Sequence, residues 1–296
     1  MEFRTIVDIP RSEWQIEPHD KVLFVGSCFA DSIGRRFQQE QFPTMVNPFG
    51  TMYNPASVLH TIERLPQTIC QGGRKAPRVA FITLGTNHVY IDRQTGQIVD
   101  NCQKRPAAEF REEQLSLEQC ADYLQQAVSR LRTYNPNVQV VLTVSPIRYR
   151  KYGYHESQLS NATLLMAVEK VIRTSLNSQL SILNSQPSTL NYFPAYEILM
   201  DELRDYRFYA ADMLHPSDQA VDFIWQRLVE TYFSQRAKEW LNDWRPVKQA
   251  LMHRPFNADS NEYRAFMDKT MLKVEALRKK YPTFAFLKNN LSIDNQ

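Results

Sequence analysis

Glycine is scarce in this chain, with 8 in 296 residues and none after Gly153, where average usage of about 7% would give around twenty. The second half is therefore expected to consist of helices and loops that avoid positive φ. Long apolar runs are missing as well, and none approaches the ~20 residues of a membrane-spanning helix. The opening Met-Glu-Phe-Arg-Thr-Ile-Val-Asp-Ile-Pro has neither the basic start nor the apolar stretch of a signal peptide, so neither secretion nor membrane insertion is expected. Four scattered cysteines, Cys28, Cys70, Cys102 and Cys120, contain no C-x-x-C pair. That argues against a disulfide framework and a clustered zinc site, and a reducing cytoplasm is the expected compartment. Excess charge of one sign is also absent: 35 basic against 32 acidic side chains leave a net +3. So even a balance supplies no electrostatic footprint for nucleic acid or an anionic membrane.

What is present is an ordinary globular composition, 43% hydrophobic and 23% charged. Apolar runs at 21–25, 79–84 and 138–144 read as buried strands. Helical spacing follows at 29–42, 54–65, 115–131 and 160–176, the second opening with Asn54 as cap and Pro55 at the first helical position. Strands alternating with helices imply βαβ units and a mainly parallel sheet, an α/β fold. The segment 89–99, with Gly96 at its turn, reads as a hairpin on the edge of that sheet. Residues 71–77 read as a surface loop. After Pro216 come two amphipathic helices, the second with Tyr263, Met267, Thr270, Val274, Leu277 and Tyr281 on one stripe. Breaks read at 242–246 and 253–257 divide the chain into a domain at 1–240 and a helical appendage at 241–296. The stripe must be covered by the rest of the chain or by a second copy, so monomer and homodimer both stay open.

In an open α/β sheet the ligand site lies beyond the carboxyl ends of the strands. Ser27 stands there, after Gly26 and before a helix. Its hydroxyl is either a nucleophile near free helix amides or a plain N-cap. Asp212 stands three residues before His215, a spacing that lets the carboxylate take the Nδ1 proton and leave Nε2 as a base. A lone pair of this kind is also common in loops of no function. Asn87 follows the second buried strand, and Gly50 could bring a backbone N–H close, so with the Ser27 amide they form a possible oxyanion hole. Asn87 reads equally as a turn residue, and Gly50 as a backbone needing positive φ. Arg148 follows the third strand and reads as a ligand for a polar or anionic substrate group, or as half of a surface ion pair. Cys28 reads as a small packing residue, and His88 and His155 lack metal-ligand spacing.

The segments Gly26-Ser-Cys-Phe-Ala, Asn47-Pro-Phe-Gly-Thr-Met-Tyr-Asn-Pro, Thr83-Leu-Gly-Thr, Ser145-Pro-Ile-Arg and Asp212-Met-Leu-His-Pro together resemble the GSCFA family. That family is similar to the SGNH (GDSL-like) hydrolases of bacteria. The resemblance implies a three-layer, flavodoxin-like sandwich with a C-terminal helical extension. It maps the marker residues onto Ser27, Gly50, Asn87 and His215, with Asp212 orienting the histidine; His88, next to Asn87, is a further candidate substrate contact beside Arg148. The block that usually reads G-D-S is Gly26-Ser27-Cys28 here, and the block that reads G-x-N-D is Gly85-Thr86-Asn87-His88.

The function so implied is a serine esterase, using no cofactor or metal and cleaving an O-acetyl group from a carbohydrate through an acyl-enzyme on Ser27. An acyltransferase of the same mechanism and a non-catalytic carbohydrate-binding protein are the alternatives.

Overall fold

The computed structural model describes residues 4–70, 76–102, 104–180, 189–257 and 259–282. The loop expected at 71–77 therefore lies largely outside the described residues. The main sheet has five strands, β1 (Val22–Gly26), β2 (Thr44–Val46), β3 (Val79–Leu84), β7 (Gln139–Val144) and β8 (Leu190–Tyr192), in the order β2-β1-β3-β7-β8. Every neighbouring pair is parallel. Taken in chain order this is 2-1-3-4-5, the flavodoxin-like doubly wound arrangement, in which strand order reverses between β1 and β3 and leaves a crevice beyond their carboxyl ends.

Buried on both faces, the central strands carry mostly apolar side chains rather than alternating with polar ones, the exceptions being Thr83, Gln139 and Thr143. Phe24, Phe81 and Val141 join one core with α1 (Cys28–Gln39) and α6 (Asp218–Tyr232). Leu23, Val25, Ile82 and Leu142 join the other with α2 (Pro55–Cys70), α3 (Leu117–Tyr134) and α4 (Tyr154–Leu180). The expected three layers are therefore observed. Local chemistry sets the helix starts: Asn54 Oδ1 accepts from Ser57 N at 2.9 Å to open α2. Ser116 and Gln119 close a reciprocal capping box on α3.

The hairpin departs from expectation. β4 (His88–Asp92) pairs antiparallel with β5 (Ile98–Val99) about Gly96, but also with β6 (Phe110–Gln114). These form a separate three-stranded sheet instead of extending the edge of the main one. After β8 a short helix, α5 (Ala195–Glu197), runs directly into a π-helical turn at Ile198–Leu203.

The break expected at 242–246 is not present. α7 (Gln235–Leu251) passes through these residues without interruption, Pro246 included. Asn242, whose carbonyl loses its partner to the proline, lies with Pro246 on the solvent side, where water can satisfy it. Trp240 and Trp244 belong to the same core as β1, and their indole N–H groups donate to the last carbonyls of α1, Glu40 O at 2.8 Å and Gln39 O at 2.9 Å. α8 (Asn261–Lys280) then folds back, burying Thr270, Val274, Leu277 and Tyr281. The C-terminal part of the stripe is thus covered within the chain, with Tyr281 edge-on to Trp240 at 5.1 Å, while Tyr263 and Met267 stay partly exposed.

Candidate functional site

The crevice between β1 and β3 begins at Gly26, whose φ is +142° and where a Cβ would lie 2.0 Å from Thr83 O. No side chain fits there. The Gly26 N–H donates to Asn47 Oδ1 at 2.8 Å, and Asn47 Nδ2 donates to Asp31 Oδ1 at 2.8 Å, so the Asn47-Pro-Phe-Gly segment braces this turn against α1.

Ser27 is the N-cap of α1, and its Oγ accepts from Phe29 N at 3.2 Å. The hydroxyl also contacts Ser145 Oγ at 2.5 Å and Thr83 Oγ1 at 3.1 Å, and the residue is 0% exposed. Its bonding capacity is taken up inside the sheet edge, and among the described residues no hydrogen bond joins it to His215. Cys28, the next residue, leaves the helix about 100° around and is partly open. Burial, with the Asp31 and Asp212 carboxylates, pushes its thiol pKa up, while the amides of Cys28 and Phe29 pull the other way. The thiol is therefore protonated at rest but stands within electrostatic reach of Asp212.

Asp212 and His215 are joined by a local loop. Asp212 Oδ1 accepts from Leu214 N at 2.9 Å and His215 N at 3.0 Å, and Oδ2 meets His215 Nδ1 at 2.6 Å. Two backbone donors aim the carboxylate, which in turn selects the tautomer with hydrogen on Nδ1 and leaves Nε2 as acceptor. The loop is pinned at its base by Ala210 N to His215 O at 2.8 Å, and to the end of β7 by Arg148 N to Leu214 O at 3.0 Å. One segment, 145–148, thus touches both Ser27 and the histidine loop. His215 is 43% exposed.

The hydrogen bonds from His215 N, His215 Nδ1 and Leu214 N lower the Asp212 pKa from 3.8 to about 2. A depressed carboxylate contributes stability above its unfolded pKa and loses it as pH falls through the folded one. Wild type should therefore lose its stability advantage over Asp212→Asn between about pH 4 and pH 2, read as denaturant midpoints at each pH. A constant gap over that range would contradict the pairing.

The expected oxyanion-hole donors are already engaged within the fold, the Ser27 amide with Thr83 O at 3.1 Å. Gly50 N donates to Asn47 O at 2.9 Å, closing a turn, so this amide is not free for an oxyanion; the positive φ of 93° is the reason for glycine there. Asn87 is buried beside α4, its N bonded to Ser160 Oγ and its Nδ2 to Leu115 O at 2.8 Å, holding β4 to the start of α3. Asn87→Ala should accordingly cost about 1–3 kcal/mol of stability by orphaning the Leu115 carbonyl. Turnover per folded molecule should stay unchanged; a fall of ~10²-fold would mark Asn87 as an oxyanion donor instead.

His88 stacks on Tyr152 at 3.9 Å, and its Nε2 lies 3.3 Å from Gln114 Nε2. Burial lowers its pKa, helped by Lys151 and opposed by Glu112 and Glu156. Its contacts do not include Ser27, Cys28, Asp212 or His215. Arg148 forms no surface ion pair among the described residues; its guanidinium lies over Tyr154 at 4.5 Å and over Tyr206 and Tyr209 at 5.5 Å.

Sequence reasoning read Cys28 as a packing residue, whereas it is partly open at the start of α1, and it did not single out Tyr53. Tyr53 O accepts from Gly85 N and Thr86 N, and its ring lies 3.3 Å from where a Gly85 Cβ would stand. Its signal was the unbroken run Asn47 to Pro55. Among the described residues no group of three or more His, Cys, Asp and Glu side chains could hold a metal, and no helix is long and apolar enough to cross a membrane.

The GSCFA family model matches residues 21–76 and 73–228. The chain belongs to the GSCFA family. A second model, the C-terminal domain of GSCFA domain proteins, matches 244–296. No curated protein matches the chain. Among solved structures, it is similar to a carbohydrate esterase family 3 protein from Talaromyces cellulolyticus, with 11% identity over 76% of this chain and 99% of that one, at a TM-score of 0.43. It is also similar to a GDSL-like lipase from Bacteroides thetaiotaomicron VPI-5482, with 12% identity over 74% and 88%, at a TM-score of 0.41.

Proposed function

We propose that this GSCFA protein is an acyl-transfer hydrolase that cleaves a carboxylic ester, with Cys28 as nucleophile and His215, oriented by Asp212, as base. The 2.6 Å contact of Asp212 with His215 Nδ1 carries the reading: its loop is tied by Arg148 N to Leu214 O at 3.0 Å to the 145–148 segment, whose Ser145 touches Ser27 beside the partly open Cys28 thiol. His215 Nε2 takes the thiol proton as Sγ attacks the ester carbonyl. The Cys28 amide supports the developing oxyanion, and the imidazolium returns its proton to the departing alkoxide. Water, activated by the same histidine, then hydrolyses the thioester.

Ser27 fits this role less well than the sequence alone suggests, because attack from Oγ requires breaking its contacts with Ser145, Thr83 and Phe29 N. An O-acetyl group on a carbohydrate remains the proposed substrate, and capture of the acyl group by a sugar hydroxyl in place of water makes the same chemistry an acyltransferase.

The second reading, a carbohydrate-binding protein without catalysis, is favoured by one observation: neither Ser27 nor Cys28 hydrogen-bonds His215 at rest. Stopped-flow hydrolysis of p-nitrophenyl acetate separates the two. The catalytic reading expects a p-nitrophenolate burst that vanishes in His215→Ala; equal, burst-free rates in both proteins would favour the binding protein.

A further inference from the structure

A cavity of about 540 Å³, within the usual range of small-molecule sites, lies against the base of the histidine loop. Two of its lining residues make that connection: Arg148 binds Leu214 O, and Tyr209 bridges to Pro216. On its α4 side stand Ser157 and Asn161, one helical turn apart and only 5% and 3% exposed. Neither side chain has a hydrogen-bond partner among the described residues, whereas Ser160 beside them bonds both Thr86 and Asn87. Buried polar groups without partners are costly, and these two open onto the cavity.

The remaining lining restricts what could satisfy them. Tyr154, Tyr206 and Tyr209 surround the Arg148 guanidinium, which has no carboxylate partner among the described residues. Asp201, Arg204 and Asp205 also line the space, Asp201 paired with Arg204 and Asp205 with Arg207, each at 3.8 Å. With Arg148 and Arg204 set against Asp201 and Asp205 the lining carries no net charge to hold an anion, and a phosphate or carboxylate, which accepts only, would leave the Asn161 carbonyl oxygen unmatched. Hydroxyl groups donate and accept, so they match asparagine, serine, aspartate and arginine together, while tyrosine faces take the C–H face of a ring.

We propose that this cavity binds a neutral sugar unit. That it holds the alcohol side of the ester for the adjacent dyad rests on the acyl-transfer reading above; the binding itself does not.

Saturation-transfer NMR with methyl glucoside, methyl galactoside, methyl mannoside, N-acetylglucosamine and cellobiose, beside glucuronate and glucose 6-phosphate, tests it on the full chain. At least one neutral sugar should give signal with wild type and equally with His215→Ala. Asn161→Ala should weaken that binding about tenfold, as should Tyr206→Ala, an exposed position whose truncation leaves the core intact; near-UV circular dichroism checks both folds. Silence from all neutral sugars, binding of the anionic ones alone, or affinity unmoved in a folded Tyr206→Ala protein would overturn the proposal. Sugar binding retained in a protein with no ester burst would instead remove the acyl-transfer reading and leave the cavity assignment standing.

Discussion

Cys28→Ala and His215→Ala are each expected to lower ester turnover by ~10⁴-fold or more, with the double variant no worse than either, because nucleophile and base act as a unit. Asp212→Asn should cost less, since the imidazole remains and only its tautomer and aim are lost. Ser27→Ala supplies the contrast. It removes the α1 cap and the contact with Ser145, so about 1 kcal/mol of stability should go, while turnover per folded molecule stays within about tenfold of wild type. Ordinary steady-state kinetics on p-nitrophenyl acetate, with folded fraction measured by circular dichroism, checks all five variants. A full loss in Ser27→Ala together with retained activity in Cys28→Ala would return the nucleophile to the serine.

Trp240→Ala should be the most damaging single change in the helical core. The side chain is fully buried, stacks on Trp244 at 5.6 Å and caps Glu40 O. Truncation leaves a cavity and an orphaned carbonyl at the end of α1, which together cost about 3–5 kcal/mol. α1 carries Ser27 and Cys28 at its other end, so the loss should appear in chemical denaturation as one cooperative transition moved to lower denaturant. A separate early transition, with the sheet core unmoved, would mean that α7 and α8 form an independent unit.

The central strands and most helices could be read from sequence because their signals are local and long: apolar runs for β1, β3 and β7, caps and helical spacing for α2, α3 and α6. β2 and β8 span only three residues each, too few to show a period, and they exist because they pair with β1 and β7. Pro246 reads as a break, yet the helix continues because Trp240, Trp244 and Val247 keep one face buried around it. At the site, the Asp212–His215 pair was legible since three residues and one turn build it. Which of Ser27 and Cys28 faces outward was not. That depends on Thr83 and Ser145, 56 and 118 residues away, and no local pattern reports it. The same holds for Asn87, drawn away by Leu115 and Ser160.

The central claim is that the acyl group is carried by Cys28. Acid-quenching the reaction with p-nitrophenyl acetate during the burst, then sequencing the acetylated peptide by mass spectrometry, addresses it directly. The account predicts acetyl on Cys28 Sγ, removed by neutral hydroxylamine as a thioester is and absent in His215→Ala; acetyl on Ser27 Oγ, resistant to hydroxylamine, would contradict it.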